Sequence, residues 1–193
     1  MIPSAPTSSD ASVLFWREGG IAHIRFNRPA ALNAIDLGLA QAFHAACREL
    51  AADDSIRVVV LSGAGRAFMA GGDLASMQAD PVGGSAGLIA QMHPAIEILA
   101  ALRAPVIASV QGAVAGAGLG LALASDLIIA AQGTRFTLAY PRIGTSSDCS
   151  TSWGLVRWVG LRKALEIALL NDTLDADEAL RIHLVNRLSL IHI

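Results

Sequence analysis

The chain has 193 residues, 53% of them hydrophobic and 16% charged, with a formal net charge of -2 at pH 7. That length supports one domain with a substantial core, and that composition excludes a disordered chain. The weak charge offers no basic footprint for nucleic acid, and Arg, Asp, Gln or Gly interrupts every apolar run before it reaches membrane-spanning length.

In chain order, residues 1–12 (MIPSAPTSSDAS) are polar and Pro/Ser-rich, and read as a flexible tail. They lack the charged and apolar regions of a secretion signal, so a cytoplasmic location is expected. Val13–Glu18 and Ile21–Phe26 flank Gly19-Gly20, a two-residue hairpin pattern. Asp36–Ala52 has helical periodicity, with Leu37, Leu39, Ala40, Phe43, Ala46 and Leu50 on one face. Arg57–Ser62 is a short apolar strand. Ala86–Leu102 reads as a helix stopped ahead of Pro105, and Val106–Val110 as a strand. Leu127–Ala131 and Arg135–Ala139 are strand-like and joined by Gln132-Gly133; from Ser150 onward the pattern is mainly helical. The alternation, with a loosely recurring ββα unit, predicts an α/β layer architecture in a single domain over residues 13–187.

The last six residues, Leu188–Ile193 (LSLIHI), match the translation of a transposon mosaic-end adapter. They read as a non-native tail, which leaves the domain and its C-terminal helical region cut short. The alternative is a short natural terminal strand.

Two glycine-rich segments carry the chemistry. Arg66–Met77 (RAFMAGGDLASM) and Gln111–Asp126 (QGAVAGAGLGLALASD) each follow a β-branched run and open into a helical stretch. Such a junction leaves backbone N–H groups without partners, and the helix dipole adds positive potential beside them. Two junctions that converge make an oxyanion hole, which points to chemistry at a carbonyl. A nucleotide reading fails on detail. Gly116, Gly118 and Gly120 give GxGxG, but Leu121 stands where the dinucleotide fingerprint has glycine, and no GK[ST] follows. Cys47 and Cys149 have no metal-ligand spacing, so no metal is expected.

Taken together, the motifs resemble the crotonase family of enoyl-CoA hydratases and isomerases. The resemblance runs from about Val13 to Arg187 through Asn27-Arg28-Pro29, Leu32-Asn33-Ala34, Ala67–Leu74 (AFMAGGDL), Gly112–Asp126, Phe136–Gly144 (FTLAYPRIG) and Ala179–Arg187 (ALRIHLVNR). It implies a spiral of ββα units, an acyl-coenzyme A thioester as substrate with coenzyme A as part of that substrate, no separate cofactor, and a homotrimer or hexamer. It places the oxyanion hole at the N–H groups of Gly72 and Ala117. It puts Ala70, Gly71, Gly72, Asp73 and Leu74 along the coenzyme A groove, with Arg28 near phosphate or else a solvated loop residue. Asp73 is expected to cap the helix that follows Gly72.

The departures from the family pattern are equally informative. Hydratases of the family use two glutamates, and Gly120 and Tyr140 occupy those positions here. Asp148, four residues after Gly144, sits where several isomerases of the family place a catalytic aspartate, although Ser147 replaces the usual proline and Cys149-Ser150 the usual small or glycine residues. Asp148 therefore has two readings: a helix N-cap, or a single base that takes a proton from C2 and returns it at C4. Tyr140 either hydrogen-bonds the ligand or fills the pocket. His23, His44, His93 and His183 show no partner spacing and read as structural or surface residues. Cys149 reads as a small packing residue, and Trp16, Trp153 and Trp158 as core or pocket wall. An isomerase leads, followed by a hydratase or other lyase of the family and by a non-catalytic acyl-CoA binder.

Overall fold

The computed structural model describes residues 10–79 and 83–190. Residues 1–9 of the expected tail and 191–193 of the terminal hexapeptide lie outside the described residues. Two strands, β1 (Val13–Glu18) and β2 (Ile21–Phe26), form the expected antiparallel hairpin. Gly19 supplies its turn at φ 57, a left-handed conformation that favours glycine. Just ahead of β1, the carbonyls of Ala11 and Ser12 accept hydrogen bonds from the side chain and backbone of Asn27.

Helix α1 (Leu37–Ala51) starts at Asp36, whose carboxylate accepts the Leu39 N–H at 2.8 Å. Its buried face is Leu39, Ala40, Phe43, Ala46, Cys47 and Leu50. Leu37 departs from expectation: it is 45% exposed, while Leu39 and Ala40 of the same turn are buried. Strand β3 (Val58–Gly63) runs parallel to β2 and buries alternate residues, so Ala22, Ile24 and Phe26 stand beside Val59, Leu61 and Gly63. Phe26 packs edge-on against both Phe43 and Phe68, with ring centroids 5.4 and 5.7 Å apart. The interior is thus built where strand period two meets helix period 3.6.

Helices α2 (Leu74–Ala79) and α3 (Gly83–Ala101) follow, the latter running through Pro94 and lying against α1. Then come β4 (Val106–Val110), β5 (Ala113–Ala115) and α4 (Ala117–Leu123), a helix buried along its whole length. Strands β6 (Leu127–Ala131) and β7 (Arg135–Thr137) match the expected pair, with β7 shorter than its sequence pattern. They belong to different sheets. The larger sheet has the order β1-β2-β3-β4-β6 and continues to β9 (Arg187–Ser189), parallel beyond the first hairpin. The smaller one is β5-β7-β8, where β8 is Leu174–Asp175. The α/β layer architecture expected from the alternation is therefore observed. Leu188 and Ser189 of the terminal hexapeptide pair with Ala130 and Ala131.

Helix α5 (Thr151–Leu170) is broken at Gly160 (φ 76, ψ 159), and α6 (Ala176–Arg181) closes the chain's helical part. His183, where a glycine is usual, takes the left-handed conformation at φ 62 that ends such a helix. Two tryptophans differ from expectation. Trp153 and Trp158 are 58% and 43% exposed rather than buried. Arg157 covers the Trp153 ring at 4.3 Å, and the Trp158 indole donates to the Leu123 carbonyl of α4. Leu161, Leu165, Leu169 and Leu170 on α5 are also exposed. Among the described residues no helix is long and apolar enough to cross a membrane.

Candidate active site

The loop after β2 builds the frame of the first glycine-rich segment. Asn33 is fully buried at φ 57, and its side-chain amide donates to the carbonyls of Ala64, Ala67 and Phe68 while its oxygen accepts the Arg28 N–H. Arg28 in turn reaches Asp36 and Asp73, at 3.0 and 3.1 Å, and donates to the Ala34 carbonyl. Asp73 accepts the Ser76 N–H at 3.3 Å, which makes it the expected cap of α2. Burial works against its charge, but the Ser76 N–H and Arg28 outweigh burial and hold the Asp73 carboxyl below the ordinary carboxylate range. Arg28 therefore ties two helix N-termini together.

The second glycine-rich segment is knitted to the first by strand-like bonds. Met69 donates to Ala113 and accepts from Ala115, and Phe68 donates to Gln111. The backbones then touch: a Cβ on Gly71 would sit 3.2 Å from the Ala115 carbonyl oxygen and 3.7 Å from Gly116 Cα. Gly71 (φ 103) and Gly116 (φ 54) are left-handed as well, so only glycine serves both the conformation and the close approach. Among the described residues neither the Gly72 nor the Ala117 amide N–H has a hydrogen-bond acceptor. Both residues line one cavity of about 320 Å³.

That cavity is walled by Ala70, Gly71 and Leu74 from the first segment, by Leu88, Ile89 and Met92 of α3, and by Tyr140, Ile143, Asp148 and Cys149. Asp148 is the one carboxylate among the described lining residues. Its side chain does not cap α5: the Asp148 main-chain carbonyl accepts the Thr151 N–H and hydroxyl, while the carboxylate accepts the Tyr140 hydroxyl. Burial first, and then the facing Asp148 carboxylate, push the Tyr140 phenol far above its usual range, so Tyr140 is a neutral donor. The same two causes push the Cys149 thiol up, which fits a packing residue rather than a nucleophile.

The missing glutamate at Gly120 has a steric cause. A Cβ there would lie 2.3 Å from the Cys149 carbonyl oxygen and 2.4 Å from Thr151 Oγ1. The backbone of the Asp148 loop fills the place where a side chain would begin. Cys149 (φ 47) and Ser150 (φ 60) both adopt left-handed conformations to make that passage, which explains why small or glycine residues suit this stretch.

The sequence pattern missed His93. Its Nε2 is buried without a partner, and a ring nitrogen of His93, a carboxylate oxygen of Asp148 and the Cys149 sulfur all lie within 4.8 Å of one another. No motif spacing links position 93 on α3 to the loop at 148; only the fold brings them together. Of the expected site residues, Ala70, Gly71, Gly72, Leu74, Ala117, Tyr140 and Asp148 line the cavity, while Arg28 and Asp73, paired with one another, do not.

Comparison with known proteins places this geometry. A family model described as enoyl-CoA hydratase/isomerase matches residues 17–189. The 1,2-epoxyphenylacetyl-CoA isomerase of Escherichia coli K12 is 37% identical over 166 residues, which is 84% of this chain and 63% of that protein. This chain thus spans less than two thirds of that relative's length. The 4-chlorobenzoyl coenzyme A dehalogenase-2 of an Arthrobacter species is 36% identical over 188 residues, covering 94% of this chain and 67% of the relative. The crystal structure of an enoyl-CoA hydratase from Mycobacterium avium subsp. paratuberculosis superposes with a TM-score of 0.86 at 31% identity, covering 94% of this chain and 72% of that one. The fold is the crotonase fold, and the chain belongs to the enoyl-CoA hydratase/isomerase family.

Proposed function

We propose that the protein acts on acyl-CoA thioesters as an isomerase, with Asp148 moving a proton between C2 and C4 of an enolate held by the Gly72 and Ala117 amides. The observation that supports this reading is a single carboxylate, among the described residues, in a cavity that Gly72 and Ala117 also line. Enolate formation puts negative charge on the thioester oxygen, and two fixed N–H donors stabilise it more than the starting carbonyl. A carboxylate that receives the α-proton can return it one double bond away, so one acid–base group closes the cycle. Hydration of a double bond calls for a second proton-transfer group at the water, and the Gly120 position has no room for it. The isomerase name of the E. coli relative agrees with this reading, including for a ring-activated thioester.

His93 favours a second reading. A carboxylate with an imidazole beside it suits substitution at an activated ring carbon, the carboxylate attacking and the imidazole taking a proton from water. The dehalogenase name of the Arthrobacter relative is consistent with that chemistry. Parallel incubations with 3-enoyl-CoA, 2-enoyl-CoA and 4-chlorobenzoyl-CoA separate the readings. Interconversion of the two enoyl isomers without water addition supports the isomerase. Formation of 3-hydroxyacyl-CoA as the main product, chloride release, or binding with no turnover would each replace it with a hydratase, a dehalogenase or a plain acyl-CoA binder. We further propose that the exposed leucines of α5 are covered in a homotrimer or hexamer.

A further inference from the structure

We infer that His93, Asp148 and Cys149 form a binding site for a thiophilic divalent cation of the Zn²⁺ type. Three donor atoms of three kinds, an imidazole nitrogen, a carboxylate oxygen and a thiol sulfur, lie within 4.8 Å of one another. Tetrahedral zinc with bonds of about 2.0–2.3 Å holds its ligands about 3.5 Å apart, so small side-chain rotations close the set around an ion. His93 Nε2 is buried with no hydrogen-bond partner, an arrangement that wastes a ring nitrogen unless something binds it. Asp148 receives the Tyr140 hydroxyl on one oxygen and also interacts with the Cys149 thiol, so a cation would take the place of the thiol proton between them while the Tyr140 bond orients the carboxylate.

The sulfur sets the selectivity. Thiolate and imidazole donors suit zinc and its borderline-soft neighbours, whereas magnesium and calcium take oxygen ligands. Binding replaces the Cys149 thiol proton with the metal. Since Asp148 and Cys149 line the 320 Å³ cavity, a cation held by them would border the space assigned to substrate. The site stands on the placement of three side chains; its effect on turnover rests on Asp148 being the base, which the cation would withdraw.

Cobalt(II) is the probe, because it takes zinc geometry and is coloured. The purified protein should bind one equivalent of Co²⁺, with a sulfur-to-cobalt charge-transfer band in the near ultraviolet and intense tetrahedral visible bands. Zn²⁺ should displace it and excess Mg²⁺ should not. Cys149→Ser should abolish the charge-transfer band, and Cys47→Ala should keep it. His93→Ala should weaken binding by at least the roughly 10–100-fold that loss of even an outer-sphere partner costs. Absence of the charge-transfer band in the unsubstituted protein overturns the proposal, whatever the variants do. So does a band that survives Cys149→Ser, or Co²⁺ affinity unchanged in His93→Ala. Turnover undiminished in zinc-saturated protein that shows the site filled would count against Asp148 as base, and not against the site.

Discussion

The Tyr140 hydroxyl donates its hydrogen bond to the Asp148 carboxylate, and the two residues face one another across the entrance to α5. The sequence holds a single tyrosine. Phenolate absorbance therefore reads this one contact.

The first prediction is a titration. The folded-state pKa of Tyr140 is raised, by burial and then by Asp148, above that of a free phenol. For a raised pKa the stabilisation is fully present below the unfolded value, about 10, and is lost as pH rises beyond it toward the folded value. The protein should show no phenolate band on passing pH 10 while it remains folded, and the band should appear together with the unfolding transition followed by circular dichroism. A phenolate that titrates near 10 in folded protein would break the Tyr140–Asp148 relationship.

Asp148→Asn tests the proposed base. It keeps shape and can still accept from Tyr140, but it cannot take a proton from C2. Isomerisation should fall by ~10²–10⁴-fold while acyl-CoA affinity, measured by calorimetry, changes little. Equal losses in affinity and rate would mean that Asp148 shapes the cavity rather than moving the proton.

Gly120→Glu restores the residue type that the family's hydratases carry at that position. Because a Cβ there would lie 2.3 Å from the Cys149 carbonyl oxygen, the Asp148 loop would have to move. The variant should lose about 1–3 kcal/mol in urea unfolding and gain no hydration of 2-enoyl-CoA. A stable variant with new hydratase activity would show that the loop yields easily.

Asn33→Ala removes the side chain that donates to Ala64, Ala67 and Phe68 and leaves alanine in a left-handed conformation. Unsatisfied buried carbonyls and the backbone penalty together should cost about 3 kcal/mol. Turnover should suffer with stability, since Asn33 holds the segment that carries Gly72. A change under 1 kcal/mol in denaturant midpoints, scaled by the slope, would speak against the frame described for this loop.

Much of this was legible in the chain. Four strands, Val13–Glu18, Ile21–Phe26, Val106–Val110 and Leu127–Ala131, fall where period-two patterning and turn residues place them. That Gly72 and Ala117 stand at strand–glycine–helix junctions was legible, because such a junction has a backbone meaning that survives without coordinates. Arg28 was not: a loop arginine looks the same in sequence whether it meets phosphate, water or, as here, two helix-capping aspartates. His93 was hidden for a related reason. Its partners lie on a loop more than a helix and a sheet away, and the local pattern says only that residue 93 lies on a helix. The exposed tryptophans of α5 show the limit of composition, since an aromatic side chain signals a buried face without saying what buries it.

Several bonds that hold this site span long stretches of chain. Arg28 meets Asp73 across 45 residues, Asn33 meets Phe68 across 35, and Ile128 meets Asn186 across 58. Each closes a large loop, whose entropy must be overcome before the contact gives anything back. Topologies of this kind fold slowly, and their transition states wait on distant segments finding one another. The cavity is therefore a late product of folding: Gly72 cannot take its position until the segment from Arg28 to Asn33 is docked, and Ala117 cannot until Met69 has joined Ala113 and Ala115. Refolding followed through tyrosine environment should lag behind helix formation, because the residue that reports on the cavity is among the last to find its partner.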